Sequence, residues 1–197
     1  DGTPDLARAH GADVLVHDRR MGVGTAIRDG YQIAADEGFD IVVIIAGNAK
    51  DDPREITRLL DPICDDDCDF VMGSRYLPGG SYGGDMPLYR VFATRYVHPW
   101  LVRRFCDRPV TESSNGYRAM KVSALQDPRI DLEQAWLKDY QLEMYVLMKF
   151  LMLDFRTAEV PVSKIYPSRQ LGNTKMVPII GWWKMLYPII LVGLGIR

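Results

Sequence analysis

The feature that most constrains the fold is a run of five β-branched apolar residues at 41–45, IVVII. Such a run is typical of a strand that is covered on both faces, as in the parallel sheet of an α/β protein. Small and charged residues follow at once at 46–52, AGNAKDD. In open α/β sheets, ligands bind at the mouths of the strands. This stretch is therefore the first candidate for a phosphate-handling site.

Helix and strand patterns alternate through the first half of the chain. Thr3 and Pro4 suit the cap and first turn of a helix, and Asp52, Pro53 and Glu55 match a capping box that starts another. The predicted elements in order are helix 3–10, strand 13–17, helix 22–37, strand 41–45, a helix from 52, and strand 69–72. This order predicts an α/β fold with a mainly parallel sheet flanked by helices.

The second half contains more irregular sequence. Residues 76–88 hold four glycines and two prolines, which is typical of a functional or mobile loop. The predictions that follow are helix 90–105, a turn-rich stretch at 109–118, helix 140–150, strand 155–162, and a basic, flexible stretch at 163–175. We place no domain boundary before about residue 163.

Composition excludes several functional classes. The chain has 197 residues and a net charge of −2, so no overall basic field favours nucleic acid as a partner. Cys64 and Cys68 do not have zinc-finger spacing, and Cys106 stands alone. Three cysteines in a chain of this length fit a reducing compartment.

The C-terminal residues 176–196 form an apolar segment about as long as a membrane span. Lys184, Pro178 and Pro188 interrupt it, and its aromatic residues favour a membrane–water interface. We therefore expect it to lie in the interface, with a buried helix of a core or dimer contact as the alternative. The chain then divides into residues 1–162 and residues 163–197, a basic loop with an apolar membrane-interface segment.

The residues alone indicate an anion site. Lys50 lies beside the strand mouth, where it could pair with a diphosphate, while Asn48 and Asp51 could hold a weakly bound Mg²⁺. A polar loop without a ligand is the alternative. Arginine grips phosphate in a bidentate fashion, and several arginines follow strands or lie in glycine-rich loops: Arg75, Arg90, Arg95, Arg118 and Arg169. A dinucleotide site is disfavoured because Ile27 stands where its third glycine is needed.

The order of motifs resembles family 2 glycosyltransferases of the GT-A fold, in the branch of dolichyl-phosphate mannose synthase. The matching stretches cover almost the whole chain: DGTPDLA, GVGTAIRDGY, IVVIIAGNAKDDPREI, DFVMGSRY, GGSYGGDMPLYRVFATRY, ESSNGYRAMK, LEMYVLMKF and AEVPVSKIYPSRQLGNTKM. The resemblance implies transfer of a hexose from GDP-mannose or a UDP-sugar to a polyprenyl phosphate, such as dolichyl or undecaprenyl phosphate. It also implies a membrane surface as partner, on the cytoplasmic face, and leaves the oligomeric state open.

The resemblance also implies roles for individual residues. Catalytic roles fall to Lys50, Asp51, Asp85 and Arg75. Substrate-binding roles fall to Asn48, Arg90, Thr94, Glu112, Asn115, Arg118, Arg169 and Lys175. Asp85 matches an acidic position of the acceptor loop, and Arg169 and Lys175 match a basic loop that closes over the diphosphate.

Two departures from the family pattern matter. The two metal-binding aspartates align with Ala46 and Asn48, and a third ligand aligns with Lys50. We hypothesise that the Lys50 ammonium takes over part of the work of the metal, which makes metal-independent activity possible. The rival hypothesis is that Asn48 and Asp51 still hold Mg²⁺ or Mn²⁺. The second departure is a late start: the chain opens at the end of the family's second strand, so the first strands are expected to be missing.

Two further alternatives remain open. The chain could transfer sugar to another lipid or to a glycan. It could also be a non-catalytic module that binds nucleotide sugars and has lost its metal motif. The presence of Arg75, Arg90 and Arg169 together with Lys50 favours an enzyme, because a decayed site has no reason to keep them.

Overall fold

A computed structural model describes residues 2–167 and 180–196. The helices are α1 (Thr3–Ala9), α2 (Val23–Asp36), α3 (Ile56–Cys64), α4 (Leu88–Phe92), α5 (His98–Cys106), α6 (Val122–Leu125), α7 (Gln141–Met152) and α8 (Ile180–Gly193). The strands are β1 (Ile41–Ile44), β2 (Phe70–Ser74), β3 (Ser81–Gly84), β4 (Arg118–Lys121), β5 (Thr157–Pro161) and β6 (Ser163–Tyr166).

The central sheet has four strands in the order β1-β4-β2-β5. Strand β4 pairs antiparallel with both β1 and β2, whereas β2 and β5 are parallel. Strands β1, β2 and β5 therefore point the same way, as the sequence predicts. The sheet is nevertheless mixed rather than mainly parallel, because β4 lies antiparallel between β1 and β2. No strand was predicted at 118–121, directly after the turn-rich stretch at 109–118. The α/β class is confirmed.

The two faces of the sheet are covered by different clusters. Strand β2 is buried throughout; Phe70 and Met72 face the cluster formed with α2, α5, α7 and α8, while Val71 faces a smaller cluster with α3. Strand β1 contributes to both clusters but is only half-buried, because it is the edge of the sheet. The sequence predicted that residues 41–45 are fully covered on both faces, but the strand is only half-buried.

Three short segments differ from the sequence predictions. Residues 13–17 pair with no strand in the described chain, and Leu15 and Val16 are exposed. The loop 76–88 contains β3, which pairs in parallel with β6, in a stretch predicted to be flexible. Strands β3 and β6 were missed because SYGG and SKIY lack apolar alternation and are stabilised by pairing with each other.

The helices begin near the predicted residues, but the capping contacts differ from those predicted. Asp52 caps a 3₁₀ turn, Pro53–Glu55, by accepting a hydrogen bond from the backbone N–H of Arg54, and α3 continues from it. Glu55 does not complete a capping box, because its carboxylate accepts hydrogen bonds from the backbone N–H and hydroxyl of Ser163. At α1 the cap position is Gly2 rather than Thr3.

Residues 88–106 form a continuous helical segment that contains a π-turn. Helix α4 runs into the π-turn at Ala93–Val97, and α5 follows directly. Within this segment the hydroxyl of Thr94 donates to the carbonyl of Arg90. The predicted helix at 90–105 is confirmed with these refinements.

Helix α8 packs against α5 and α7, and its Ile189 and Val192 are buried in the larger cluster. Lys184 pairs with Asp139 at the surface of this packing. Helix α8 is therefore buried in part, at Ile189 and Val192, while Trp183 is exposed. Within residues 2–167 and 180–196, no helix is both long and apolar enough to cross a membrane. A membrane-interface role for the C-terminal segment stays a prediction.

We predict that Ile189→Ala lowers the free energy of unfolding by about 2–5 kcal/mol, because it leaves a cavity beneath α8. Leu194→Ala is the matched control; Leu194 is 60% exposed, so its change is expected to stay within about 0.5 kcal/mol. Denaturant titration measures both. Equal, small effects would show that α8 does not pack in the core in solution.

Candidate active site

An open cleft of about 530 Å³ lies at the C-terminal end of β1. Its lining is Ile45, Ala46, Gly47, Ala49, Lys50, Asp51, Asp52, Pro53, Ser163 and Ile165. Asn48 folds the loop by accepting a hydrogen bond from the backbone N–H of Lys50, and Ala49 adopts a left-handed φ of 55°. The cleft therefore lies where the apolar run of β1 predicted a ligand site, with β6 as its second wall.

The carboxylate of Asp51 is buried and paired with Lys164. The Nζ atom of Lys164 lies 2.6 and 2.8 Å from the two oxygens of Asp51. It also donates to Oδ1 of Asn115 at 2.8 Å. All three side chains are buried, so Lys164 neutralises Asp51 inside the protein and removes its charge from the cleft.

This pairing decides how well the residues present fit a metal. Both oxygens of Asp51 accept hydrogen bonds from an ammonium, and Oδ1 of Asn48 accepts one from its own loop. Across the described residues, no three His, Cys, Asp or Glu side chains are grouped to hold a metal ion. Asn48 and Asp51 therefore do not fit the metal site that the sequence suggested, because Lys164 supplies the neighbouring positive charge.

Tyr166 brings three predicted cations together. Its hydroxyl accepts a hydrogen bond from Arg75 at 3.1 Å, and its ring lies 4.7 Å from Nζ of Lys50 and 5.8 Å from the guanidinium carbon of Arg90. Burial would raise the pKa of Tyr166, but Arg75 and a hydrogen bond from Arg90 outweigh it and lower the pKa. The phenol is thus held in a strongly positive environment.

Sequence reasoning missed Lys164 and Tyr166. Both lie on β6, where side chains alternate between the two faces, so Lys164 and Tyr166 are buried together while Ile165 is exposed. A prediction of strand at 163–166 would have placed them on one face. The composition SKIY gave no such signal.

Lys50 lies at the edge of the cleft beside this cluster. Burial, together with the charges of Arg90 and Lys164, lowers its pKa. Lys50 is held in place through its backbone, since its carbonyl accepts a hydrogen bond from the N–H of Ile165 on β6. The position of its ammonium therefore depends on β6.

Arg75 forms a buried ion pair with Glu112. Its Nε donates to Glu112 at 2.8 Å, a second guanidinium nitrogen bonds the other carboxylate oxygen, and both side chains are almost fully buried. Burial would lower the pKa of Arg75, but Glu112 outweighs it and raises the pKa. Glu159 accepts from the backbone N–H groups of Thr111 and Glu112 and so holds the loop that carries the pair.

Two other predicted binding residues are structural in this geometry. Arg118 is 1% exposed and donates to the carbonyls of Asn115, Ser113 and Glu143, so its guanidinium does not reach the cleft. Asn115 is fully buried and donates to the carbonyl of Gly73. In the described chain these contacts fold the loop before β4, and the predicted contact of both residues with substrate stays a prediction.

The remaining predicted site residues are Thr94, Asp85, Arg169 and Lys175. The Thr94 hydroxyl lies 2.6 Å from the hydroxyl of Tyr76, beside Arg90 on the same helical segment. Asp85 is exposed at the end of β3. Arg169 and Lys175 lie outside the described residues.

The fold matches that of solved structures. Two solved structures of glucosyl-3-phosphoglycerate synthase from Mycobacterium tuberculosis, one with phosphoglyceric acid and one with Mn²⁺, UDP and phosphoglyceric acid, match with a TM-score of 0.64. Identity is 21% and 22%, and the match covers 100% of this chain and 66% and 65% of those chains. At this identity the likeness shows the fold alone, the predicted GT-A fold.

The sequence profile described as Glycosyl transferase family 2 matches residues 1–127. The chain therefore belongs to glycosyltransferase family 2, and the enzyme class predicted from the sequence is confirmed.

Named relatives are similar over most of the chain. Polyprenol monophosphomannose synthase of Mycolicibacterium smegmatis is 27% identical over 89% of this chain and 68% of its own length. Undecaprenyl-phosphate mannosyltransferase of Micrococcus luteus is 28% identical over 89% and 71%. UDP-N-acetylglucosamine--dolichyl-phosphate N-acetylglucosaminyltransferase of Methanococcus voltae is 27% identical over 92% and 69%.

We predict that Glu112→Gln lowers the free energy of unfolding by about 3–5 kcal/mol, because it leaves the buried Arg75 charge unpaired. Arg8→Ala, which breaks the exposed pair with Asp5, is the control and should cause no measurable loss. Denaturant titration of both variants is the measurement. A stable Glu112→Gln protein would contradict the structural role assigned to the pair.

Proposed function

We propose that the chain transfers a hexose from a nucleotide sugar to a polyprenyl phosphate. The observation that carries the proposal is the cationic cluster of Lys50, Arg75 and Arg90 around Tyr166, at the edge of a cleft that opens at the end of β1. Such a cluster suits two phosphorylated substrates. The printed names of the relatives support a polyprenyl-phosphate acceptor, and a membrane surface on the cytoplasmic side is part of the same proposal as the source of that lipid.

The chemistry needs no strong base. An oxygen of the acceptor phosphate, already an anion near pH 7, attacks the anomeric carbon of the sugar. The bond between that carbon and the oxygen of the donor's terminal phosphate breaks, and its electron pair leaves with the nucleoside diphosphate. Catalysis then rests on positioning the two substrates and stabilising the charge on the leaving group. This fits a site rich in cations, with no titrating histidine among the residues of the cleft.

Lys50 is the residue we assign to the leaving diphosphate. It lines the cleft, and its backbone is fixed to β6. Lys164 neutralises Asp51, so the carboxylate does not compete with the diphosphate for Lys50. Arg75 acts through Tyr166 as a positioning residue, because its own guanidinium is paired with Glu112.

The donor sugar is a finer part of the proposal. Two of the relatives are named for mannose and one for N-acetylglucosamine, so GDP-mannose and a UDP-sugar are the donors to test first. Transfer to another lipid or to a glycan is the enzyme alternative. A module that binds nucleotide sugar without catalysis is the alternative of another class, and it predicts donor binding without any turnover.

We expect transfer from labelled donor to polyprenyl phosphate to persist in EDTA. The physical reason is that the described ligand set does not fit a divalent ion, while Lys50 supplies positive charge at the cleft. Activity abolished by EDTA and restored by Mg²⁺ or Mn²⁺ would contradict this assignment. If no product forms with either GDP-mannose or a UDP-sugar, the proposal shifts to other donors or acceptors.

Lys50→Ala should lower kcat by about 100-fold, the loss typical of removing one charge-stabilising group from a transition state. Lys50→Arg keeps the charge and serves as the matched control, with most of the activity retained. An unchanged rate in Lys50→Ala would remove Lys50 from the catalytic role.

We expect kcat/KM to fall on the alkaline side of the pH profile. The pKa of Lys50 and the pKa of Tyr166 are both lowered. The cluster therefore loses positive charge at a lower pH than an ordinary lysine and an ordinary tyrosine would. Lys50→Arg keeps its charge, so it should move the fall to higher pH. Tyr166 raises the pKa of Lys50, so Tyr166→Phe should not move the fall to higher pH. Steady-state rates across pH provide the measurement; a midpoint that is the same in the native chain and in Lys50→Arg would contradict the assignment.

A further inference from the structure

The helical segment 88–106 exposes an apolar stripe along its outer side. Leu88 is 86% exposed, Phe92 62%, Tyr96 55% and Trp100 67%. These four residues, here named the aromatic stripe, recur every fourth position. An α-helix turns about 100° per residue, so residues four apart drift by about 40° around it. The wider π-turn at Ala93–Val97 opposes this drift and helps keep the stripe on one side.

The opposite side of the same segment is also apolar or buried. His98 and Val102 are buried, and Leu101 and Phe105 pack against the larger core cluster. A surface helix of a soluble protein normally turns a polar face to water, yet the outer side of this segment carries four exposed apolar side chains. The described chain does not cover the aromatic stripe. A contiguous apolar surface of this kind marks an interaction site.

The charges beside the stripe indicate what covers it. Arg95, Arg103 and Arg104 are exposed on the segment, whereas the exposed acidic residues Asp85 and Asp107 lie just before and just after it. Exposed Trp, Phe and Leu next to arginines are typical of helices that lie in the interface of an anionic membrane. A second copy of the chain would instead bring its own arginines against these, at a cost in like-charge repulsion.

The stripe is also joined to the candidate site. Arg90 and Thr94 lie on the same segment, and they contact Tyr166 and Tyr76 respectively. Docking through the stripe would therefore bring the candidate site close to the membrane surface.

We propose that the aromatic stripe docks the protein on an anionic phospholipid surface. The inference rests on the proposed function for the identity of the acceptor, but the docking surface is defined by exposure and charge alone. It differs from the sequence expectation, in which residues 176–196 make the membrane contact.

Vesicle binding tests the docking surface. The native chain is sedimented with vesicles of phosphatidylcholine, with and without phosphatidylglycerol, and compared with a Phe92→Ser/Trp100→Ser double variant. Trp183→Ser is the matched control, because Trp183 is a 60% exposed tryptophan on α8. We expect tighter binding with phosphatidylglycerol, a loss of about tenfold or more in the double variant, and no loss in the control. Circular dichroism should show unchanged folding, since both substituted residues are exposed.

Several results would overturn the proposal. Binding that survives in the double variant, or that is lost in Trp183→Ser, would move the contact away from the stripe. A native chain that binds no vesicles would exclude docking by the described surface. A native dimer in gel filtration that the double variant dissociates would identify a second copy as the occupant.

A transfer assay keeps this inference separate from the proposed function. The double variant should transfer sugar to a short, water-soluble polyprenyl phosphate as fast as the native chain, and should lose transfer only to a long-chain acceptor in vesicles. Failure of every protein on the soluble acceptor, with vesicle binding intact, would refute the proposed function and leave the docking surface standing. Loss of transfer to both acceptors in the double variant alone would refute the docking role.

Discussion

The arrangement of the site depends on one buried ammonium. Lys164 binds Asp51, in the loop that follows β1, and Asn115, in the loop that precedes β4. Asn115 in turn donates to Gly73 at the end of β2. One side chain from β6 thereby joins the ends of three strands of the central sheet. Without it, a buried carboxylate would be left unpaired beneath the cleft, which is costly in a protein interior.

Around this ammonium the site separates charges that are paired in the interior from charges that lie nearer to solvent. Arg75 and Glu112, and Asp51 and Lys164, neutralise each other in the interior. Lys50 lies nearer to solvent, and Arg90 is half-buried beside it. The buried pairs are themselves held in place, because the Arg75–Glu112 pair is bonded to Tyr166 and the Asp51–Lys164 pair is bonded to Asn115. Preorganised charge of this kind is what a departing diphosphate requires.

The sequence was informative where a signal is local. The run at 41–45 predicted β1 and the place of the cleft, and Asp52 and Pro53 predicted the helix start behind it. Strands β4 and β6 could not be predicted in the same way, because RAMK and SKIY carry no apolar alternation and find their partners far along the chain. Arg118 shows the limit for single residues: arginine is normally exposed, and only the fold reveals the carbonyls that bind it. The family resemblance supplied the enzyme class, which composition alone would not have given.

Strand β6 is only four residues long, and it carries both Lys164 and Tyr166 on its buried face. Because side chains alternate along a strand, a shift of its register by one residue would turn Ser163 and Ile165 inward and both functional side chains outward. Asp51 would then lose its buried partner, and Lys50 and Arg90 would lose their shared contact with the ring of Tyr166, in a single step. A single insertion or deletion in β6 would therefore remove both properties together, whereas a substitution at Lys164 or Tyr166 would remove one of them.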